Sequence, residues 1–298
     1  MHTPRLPGQI GTITGRSVLV TGASSGIGLA AARVLASRGA HVTLVGRNPD
    51  KTHGAADDVR AVATGDVDVE ICDLASMADM RGFCARLRDS RDSLDVLLNN
   101  AGAVHTSRKR TADGIEMTFG VNHLGYMLPT LGLLPLLQAA PAARIVNVAS
   151  MAHRAANIDL DDLQIESAGY SGWTAYANSK AHNILFTREL ARRLQGTMIT
   201  ANSLHPGVVG TGFGKNDKGW FSWLWALGTP FLRSPDAGAE TSIHLCSAPE
   251  LDGVTGRYFS DCREAKPRPV ASDDHLAAGL WSRSAAMMGL SDEGLPIP

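Results

Sequence analysis

The sequence predicts an α/β fold in which a single-domain, doubly wound parallel sheet of about seven strands carries helices on both faces. Three observations support this prediction. Short β-branched runs alternate with helical patterns, a glycine-rich turn joins the first strand to the first helix, and no linker-like or repetitive stretch divides the middle of the chain. With right-handed crossovers, this alternation gives a Rossmann sheet.

The predicted elements follow one another along most of the chain. The first strand covers residues 17–21, and the glycine turn after it leads into a helical pattern over residues 29–38. Further strands are predicted at residues 41–45, 67–72, 94–98, 144–149, 200–204 and 257–259, and an apolar-periodic helix at residues 181–194. We expect the Rossmann domain to cover residues 15–290, between a flexible leader of residues 1–14 and a tail of residues 291–298.

The composition is that of an ordinary globular protein. Of the 298 residues, 44% are hydrophobic and 19% are charged, and the net charge of −1 argues against nucleic acid as a partner. The four cysteines lack C-x-x-C spacing and no H-E-x-x-H occurs, so no metal site is predicted. The N-terminal stretch contains no apolar run long enough for a signal peptide or a transmembrane segment. We expect reduced thiols and a cytoplasmic location.

The glycine-rich turn has the spacing of a dinucleotide site. Gly22 permits the tight turn, and Gly26 and Gly28 let the backbone approach a pyrophosphate and let the helix pack close to the strand. The helix N-terminus offers free N–H groups and the positive end of the helix dipole. The strand–turn–helix context favours this interpretation over a plain turn.

The residues after the second strand distinguish the two nicotinamide dinucleotides. An acidic side chain there would bind the ribose 2′-hydroxyl of NAD, whereas an arginine accommodates the 2′-phosphate of NADP. The sequence places Arg47 and Asn48 at this point, and no acid. A charge-assisted bond from Arg47 to phosphate favours NADP(H), with NAD(H) as the alternative cofactor. The other interpretation of Arg47 is an exposed residue at a helix start.

Tyr176 and Lys180 are four residues apart next to a helical pattern, so their side chains would share one face. A free tyrosine has a pKa of about 10, too high for acid–base catalysis at neutral pH, and a nearby cation lowers that pKa. The spacing therefore predicts a proton-transfer pair. Taken alone, it also fits a surface tyrosine and a solvated lysine.

Further motifs follow in order along the chain: Asp73 and Leu74 after the third strand, Asn-Asn-Ala-Gly at residues 99–102, Asn122 in Val-Asn-His-Leu-Gly, Ser150 at the end of the fifth strand, and His-Pro-Gly at residues 205–207. Together with the glycine turn, Tyr176 and Lys180, this combination resembles the short-chain dehydrogenase/reductase family over residues 15–290. Residues 185–194 and 258–262 resemble the retinol dehydrogenase-like branch of that family.

The resemblance implies a role for four residues. Tyr176 would protonate a carbonyl oxygen or deprotonate an alcohol, and Lys180 would lower its pKa and hold the nicotinamide ribose. Ser150 would hydrogen-bond the substrate oxygen, and Asn122 would place a water that links Lys180 to solvent. Cofactor contacts are implied for Tyr176, Lys180, Gly22, Ser24, Ser25, Gly26, Ile27, Gly28, Arg47, Asn48, Asp73, Leu74, Asn100, Ala101, Gly102, Pro206, Gly207, Val209 and Thr211. Considered singly, Ser150 also fits a turn residue and Asn122 a helix cap.

Aromatic residues crowd the chain after Thr211. Trp220, Trp223 and Trp225 lie within six residues, and glycines flank or interrupt the run. We predict a substrate lid over residues 211–233 that contacts a bulky apolar substrate. The alternatives are a packed helical hairpin and a dimer or membrane contact.

The predicted function is that of an NADP-dependent ketone or aldehyde reductase, or dehydrogenase of a primary or secondary alcohol, with an apolar substrate. Two alternatives stay open: a nucleotide-sensing binding protein on the same fold, and a reductase of a carbon–carbon double bond. The resemblance also implies a homodimer formed through the helix that bears Tyr176. His123, His153 and His205 lie near site motifs but are interpreted as structural.

Overall fold

The computed structural model describes residues 13–167, 169–207 and 233–290. Within these residues, eight strands form one sheet in the order β3-β2-β1-β4-β5-β6-β7-β8. Strands β1 to β7 pair in parallel, and β8 is antiparallel to β7. The strands are β1 Ser17–Thr21, β2 His41–Gly46, β3 Val67–Ile71, β4 Val96–Asn99, β5 Ala143–Val148, β6 Ile199–His205, β7 Tyr258–Ser260 and β8 Arg263–Glu264.

Helices connect these strands and cover both faces of the sheet. A short helical turn, Met117–Phe119, and a π-helical turn, Gly120–Leu124, precede the helix that begins at Gly125. The helices of the described chain are α1 Gly26–Ser37, α2 Pro49–Arg60, α3 Met77–Ser90, α4 Gly125–Gly132, α5 Leu134–Ala139, α6 Gly172–Arg193, α7 Pro235–Ser247 and α8 Asp274–Met287. The doubly wound parallel sheet predicted from the sequence is thus confirmed.

Strand β8 is the element that the sequence prediction did not contain. It is two residues long and follows a tight turn in which Asp261 and Cys262 have φ angles of 53° and 57°. Two residues cannot display the alternation from which a strand is recognised. Helix α6 also begins earlier than its apolar pattern, since the Ser171 hydroxyl accepts a hydrogen bond from the Thr174 N–H and caps its first turn.

The apolar core lies in two layers, one on each face of the sheet. Successive strand residues point to opposite faces, and β4 follows this rule with every residue buried. Leu97 packs into one layer with Phe186 and Trp281, whereas Val96 and Leu98 pack into the other. Full burial of one such side chain contributes about 1.5–3 kcal/mol, so both layers hold the helices firmly against the sheet.

Polar side chains fix α6 to the centre of the sheet. The Asn147 amide in β5 donates to the Thr187 hydroxyl at 2.9 Å, and the Asn99 amide in β4 donates to Asn147 Oδ1 at 2.9 Å. On its other side, α6 packs against α8, where the Phe186 and Trp281 rings stack at 5.8 Å. The helix that carries Tyr176 is therefore enclosed along much of its length.

Candidate active site

The candidate site lies at the carboxyl ends of β1, β4 and β5, beside the first turns of α6. The sheet order reverses direction between β1 and β4, and such a switch point opens a crevice in doubly wound folds. Thr21 joins the two strand ends, because its hydroxyl accepts from the N–H groups of Asn100 and Ala101 at 3.0 and 3.1 Å. Thr21 ends the predicted first strand, and no role was predicted for it from the sequence.

The glycine turn after β1 lies so close to the segment after β4 that Gly22 and Gly28 have no room for side chains. A Cβ on Gly22 would lie 2.7 Å from Ala101 Cα, and one on Gly28 would lie 2.4 Å from Asn100 Nδ2. Gly22 and Gly26 have φ angles of 66° and 59°, which favour glycine. Ser25, the N-cap of α1, makes no side-chain capping bond to the helix. This cradle at a helix N-terminus fits a dinucleotide pyrophosphate.

Arg47 and Asn48 lie directly after β2 and both are exposed. The Asn48 side chain caps α2, where its Oδ1 accepts from the Lys51 N–H at 2.9 Å. Its carbonyl oxygen accepts from the Thr52 hydroxyl at 2.7 Å. Asn48 therefore has a structural task besides its predicted cofactor contact, whereas Arg47 projects from the strand end into solvent.

The predicted contacts after β3, β4 and β6 lie at the same sheet edge. Asp73 Oδ1 accepts from the Ala75 N–H at 3.0 Å, and Leu74 is buried against α4. Asn100 donates from its side chain to the Thr21 carbonyl at 2.9 Å, and Ala101 and Gly102 follow it. Gly207, which follows Pro206 after β6, has a φ of 85°, and a Cβ there would lie 2.8 Å from Arg233 Cδ.

Several predictions fall outside the described residues. They are the cofactor contacts Val209 and Thr211, the substrate contacts Trp220, Trp223 and Trp225, and nearly all of the leader, lid and tail.

Ser150, Tyr176 and Lys180 come together at the mouth of this crevice. Ser150 and Tyr176 are partly exposed and are joined by a hydrogen bond between their hydroxyl groups. Lys180 is only 3% exposed. Its Nζ donates to the Val148 carbonyl oxygen at 3.0 Å and lies 5.8 Å from the centre of the Tyr176 ring. The helical spacing of Tyr176 and Lys180 thus places both side chains on the face that lines the crevice.

The direction of the Tyr176 pKa differs from the sequence expectation. A neighbouring lysine was expected to lower it, but burial raises the pKa of Tyr176 above its usual value, and the Ser150 hydrogen bond opposes this rise. Burial also lowers the pKa of Lys180 to about 7. The Lys180 ammonium bonds to the Val148 carbonyl and lies 5.8 Å from the centre of the tyrosine ring, so burial dominates the pKa of Tyr176.

Asn122 is fully buried in the π-helical turn before α4. Its Oδ1 accepts from the Ala103 N–H at 2.7 Å, and its Nδ2 donates to the Ala103 carbonyl and to the Ser179 hydroxyl at 2.9 and 3.0 Å. The side chain therefore ties the segment after β4 to α6. Single π-helical turns occur often at functional sites.

Two exposed apolar side chains that the sequence analysis did not select flank the Ser150–Tyr176 pair. Met151 is 48% exposed directly after Ser150, and Trp173 is 42% exposed one helical turn before Tyr176, with 6.3 Å between the two ring centres. The i,i+3 spacing of Trp173 from Tyr176 could have indicated this position. The substrate contacts predicted from the sequence lie only where aromatic residues are dense.

Comparisons with known proteins agree with this geometry. The family model of the short chain dehydrogenases matches residues 16–220. The chain is 42% identical to human retinol dehydrogenase 14 over 96% of this chain and 90% of that protein. It is 41% identical to human retinol dehydrogenase 13, covering 96% of this chain and 89% of that protein.

Solved structures share the fold. An uncharacterized protein from Mycobacterium paratuberculosis has a TM-score of 0.79 and 33% identity, with 97% of each chain covered. The Pseudomonas aeruginosa RhlG/NADP complex has a TM-score of 0.67 and 28% identity, with 84% of this chain and 95% of that chain covered. The chain therefore belongs to the short-chain dehydrogenase family, in its retinol dehydrogenase-like branch, and is an oxidoreductase.

Proposed function

We propose that the protein transfers a hydride between NADP(H) and the carbonyl or alcohol group of a bulky apolar substrate. The observation that carries this proposal is the meeting of the Ser150–Tyr176 hydroxyl pair, the buried Lys180 and the glycine cradle at one edge of the sheet. A proton donor, a hydrogen-bond donor and a dinucleotide-binding turn are the parts that carbonyl reduction requires.

The cofactor would be held by the backbone of the turn at residues 22–28, by the strand-end segments after β2, β3, β4 and β6, and by Tyr176 and Lys180. When bound, NADPH supplies the hydride that reduces the carbonyl carbon. The Tyr176 hydroxyl then gives its proton to the substrate oxygen during reduction and takes a proton from the alcohol during oxidation. The Ser150 hydroxyl donates a hydrogen bond to that oxygen and stabilises the charge that develops on it.

Two observations support NADP as the cofactor. Arg47 is exposed directly after β2, and no acidic residue occupies this strand end. A guanidinium group there matches a 2′-phosphate in charge and geometry. NADP complexes of structurally similar short-chain dehydrogenases have been solved, including one from Shigella flexneri at 25% identity.

An apolar substrate is supported by the side chains around the Ser150–Tyr176 pair. Met151 follows Ser150 directly in the chain and Trp173 lies one helical turn before Tyr176, and both present exposed apolar surface that a bulky apolar ligand would cover. The relatives named retinol dehydrogenases suggest long, flat polyenes as test compounds. We therefore place the substrate class among long apolar aldehydes, ketones and the corresponding alcohols.

The location and assembly of the protein are also proposals. Among the described residues, no helix combines the length and hydropathy that crossing a bilayer requires. The cysteines are free and three of them are buried, which supports the cytoplasmic location expected from the sequence.

The assembly expected from the family resemblance is a homodimer formed through α6. Because α8 packs against one side of α6, such a dimer would have to use the surface of α6 that α8 leaves open.

The test is turnover of the purified protein with retinal, decanal and acetophenone in the presence of NADPH or NADH. We expect oxidation of NADPH with the long aldehydes, a higher kcat/KM with NADPH than with NADH, and alcohols as products. Tight binding of NADPH without turnover of any carbonyl would identify a nucleotide sensor instead. A product with a reduced carbon–carbon double bond would identify the other alternative.

A further inference from the structure

Two buried histidines hold the peptide group between Ser150 and Met151. His153 Nδ1 lies 2.6 Å from the Ser150 carbonyl oxygen, and His205 Nδ1 accepts from the Met151 N–H at 3.2 Å. These rings are 1% and 4% exposed. The carbonyl oxygen and the N–H of a trans peptide point in opposite directions, so the rings contact opposite edges of one rigid plane.

The partners of the two rings determine where their protons lie. The Arg268 N–H donates to His153 Nε2 at 3.3 Å, so the neutral His153 ring carries its proton on Nδ1 and donates it to the Ser150 carbonyl. His205 accepts through Nδ1, so its proton lies on Nε2. Burial lowers the pKa of both histidines, that of His205 to about 4, which keeps both rings neutral near pH 7.

The same peptide group begins the turn that carries Ser150. Ser150 is extended, with φ −162° and ψ 157°, and its hydroxyl accepts from the Ala152 N–H at 3.2 Å. The His153 N–H also donates to the Ser150 carbonyl at 3.1 Å, so that oxygen accepts twice from one residue. The His153 ring packs edge-on against Tyr258 at 5.2 Å, which connects this turn to β7.

We propose that His153 and His205 are positioning residues for Ser150, which they hold by clamping the Ser150–Met151 peptide from both edges. Fixing this plane fixes ψ of Ser150 and hence the direction in which its hydroxyl meets the substrate oxygen. The inference rests on the proposed role of Ser150. A reacting group that is misplaced by about 1 Å can lose about 10²-fold in rate, so a clamp on its backbone has a measurable effect.

The test uses the full chain with NADPH and decanal as the probe substrate. His153→Leu keeps about the volume of the ring and removes the hydrogen bonds of its two ring nitrogens, and we expect kcat to fall by about 10- to 10²-fold while the Kd of NADPH is unchanged. His153→Asn, which restores an N–H donor close to the Nδ1 position, should recover most of the lost rate. His244→Leu is the matched control, because His244 is a buried histidine in α7 whose charged neighbours are Glu250 and Arg144, at the opposite end of β5 from Ser150.

A double-mutant cycle separates positioning from general stability. In a Ser150→Ala background, His153→Leu should cost little further rate, because the group that it positions is already gone. His205→Leu provides the same cycle from the other edge of the peptide if His153→Leu does not fold. Unchanged kcat in the folded single variants, or rate losses that add fully to that of Ser150→Ala, would overturn the clamp. A Ser150→Ala protein with wild-type kcat would instead overturn the role proposed for Ser150.

Discussion

The two halves of the candidate site are built from different parts of the chain. The nucleotide half, around Gly22 and Gly28, is a backbone surface whose shape depends on the absence of side chains. The acid–base half, around Tyr176 and Lys180, consists of side chains whose pKa values are moved by burial. The first half is therefore sensitive to added volume, and the second to the loss of single polar atoms. Lys180 is the residue proposed to act in both.

The largest effect is expected from removing one atom of the acid–base half. Tyr176→Phe keeps the ring and deletes the hydroxyl, so turnover should fall by about 10²–10⁴-fold, the usual contribution of a positioned acid–base group. Affinity for NADPH should persist. Steady-state kinetics and NADPH titration would check both. Tyr170→Phe is the control, since the Tyr170 hydroxyl bonds to Glu116 rather than to the site. Near wild-type turnover of Tyr176→Phe would remove Tyr176 from the mechanism.

The next largest effect is a change in the affinity for NADPH but not for NADH. Arg47→Ala should weaken NADPH binding by about 1.5–3 kcal/mol, the contribution of a hydrogen bond to a charged group, and leave NADH binding nearly unchanged. Calorimetric titration with both cofactors measures the difference. Arg60→Ala, which removes an exposed arginine bonded to Asp57 at the far end of α2, should change neither affinity. Equal binding of NADH and NADPH by the wild type would contradict the assignment of Arg47.

Adding one methyl group to the glycine turn should weaken cofactor binding and leave the acid–base half unchanged. Gly28→Ala places a Cβ 2.5 Å from the Gly22 carbonyl oxygen, and overpacking of this kind typically costs about 1–3 kcal/mol. We expect a raised Kd for NADPH, with kcat at saturating NADPH less affected. Gly54→Ala is the matched control, because a Cβ there meets nothing within 4 Å and alanine favours the helix. If both variants bound NADPH equally well, the cradle would have no part in binding.

The smallest effect, taken per pH unit, is a slope of stability against pH. Burial lowers the pKa of Lys180 to about 7 in the folded protein, so above that pH the unfolded chain binds more protons than the folded one. The free energy of unfolding should therefore gain a contribution from Lys180 that rises from about pH 7 towards pH 10, by at most about 1.4 kcal/mol per pH unit. Denaturant titrations of the wild type and of Lys180→Met at several pH values measure this contribution, as the difference between the two pH profiles. Parallel pH profiles for the two proteins would show that the lysine is not buried as described.

Sequence patterns identified most of the fold because the signals were local. The seven parallel strands were found from β-branched runs, and the glycine turn was found from spacing that no ordinary helix start requires. One local signal was present but not used: Asn48 is followed by Pro49, which is the usual order of an N-cap and the first helical residue. Asn48 was predicted only as a cofactor contact, and its role as the N-cap of α2 was not predicted.

The sequence by itself determined the strands β1 to β7, the order of the motifs and the pairing of Tyr176 with Lys180 on one helical face, because each depends on residues close together in the chain. Tertiary structure alone decided the direction of the Tyr176 pKa, the contacts of Asn122 with Ala103 and Ser179, and the two histidines on the Ser150 peptide. These depend on burial and on hydrogen bonds between segments that lie far apart in sequence, and no local pattern encodes the distance between such segments.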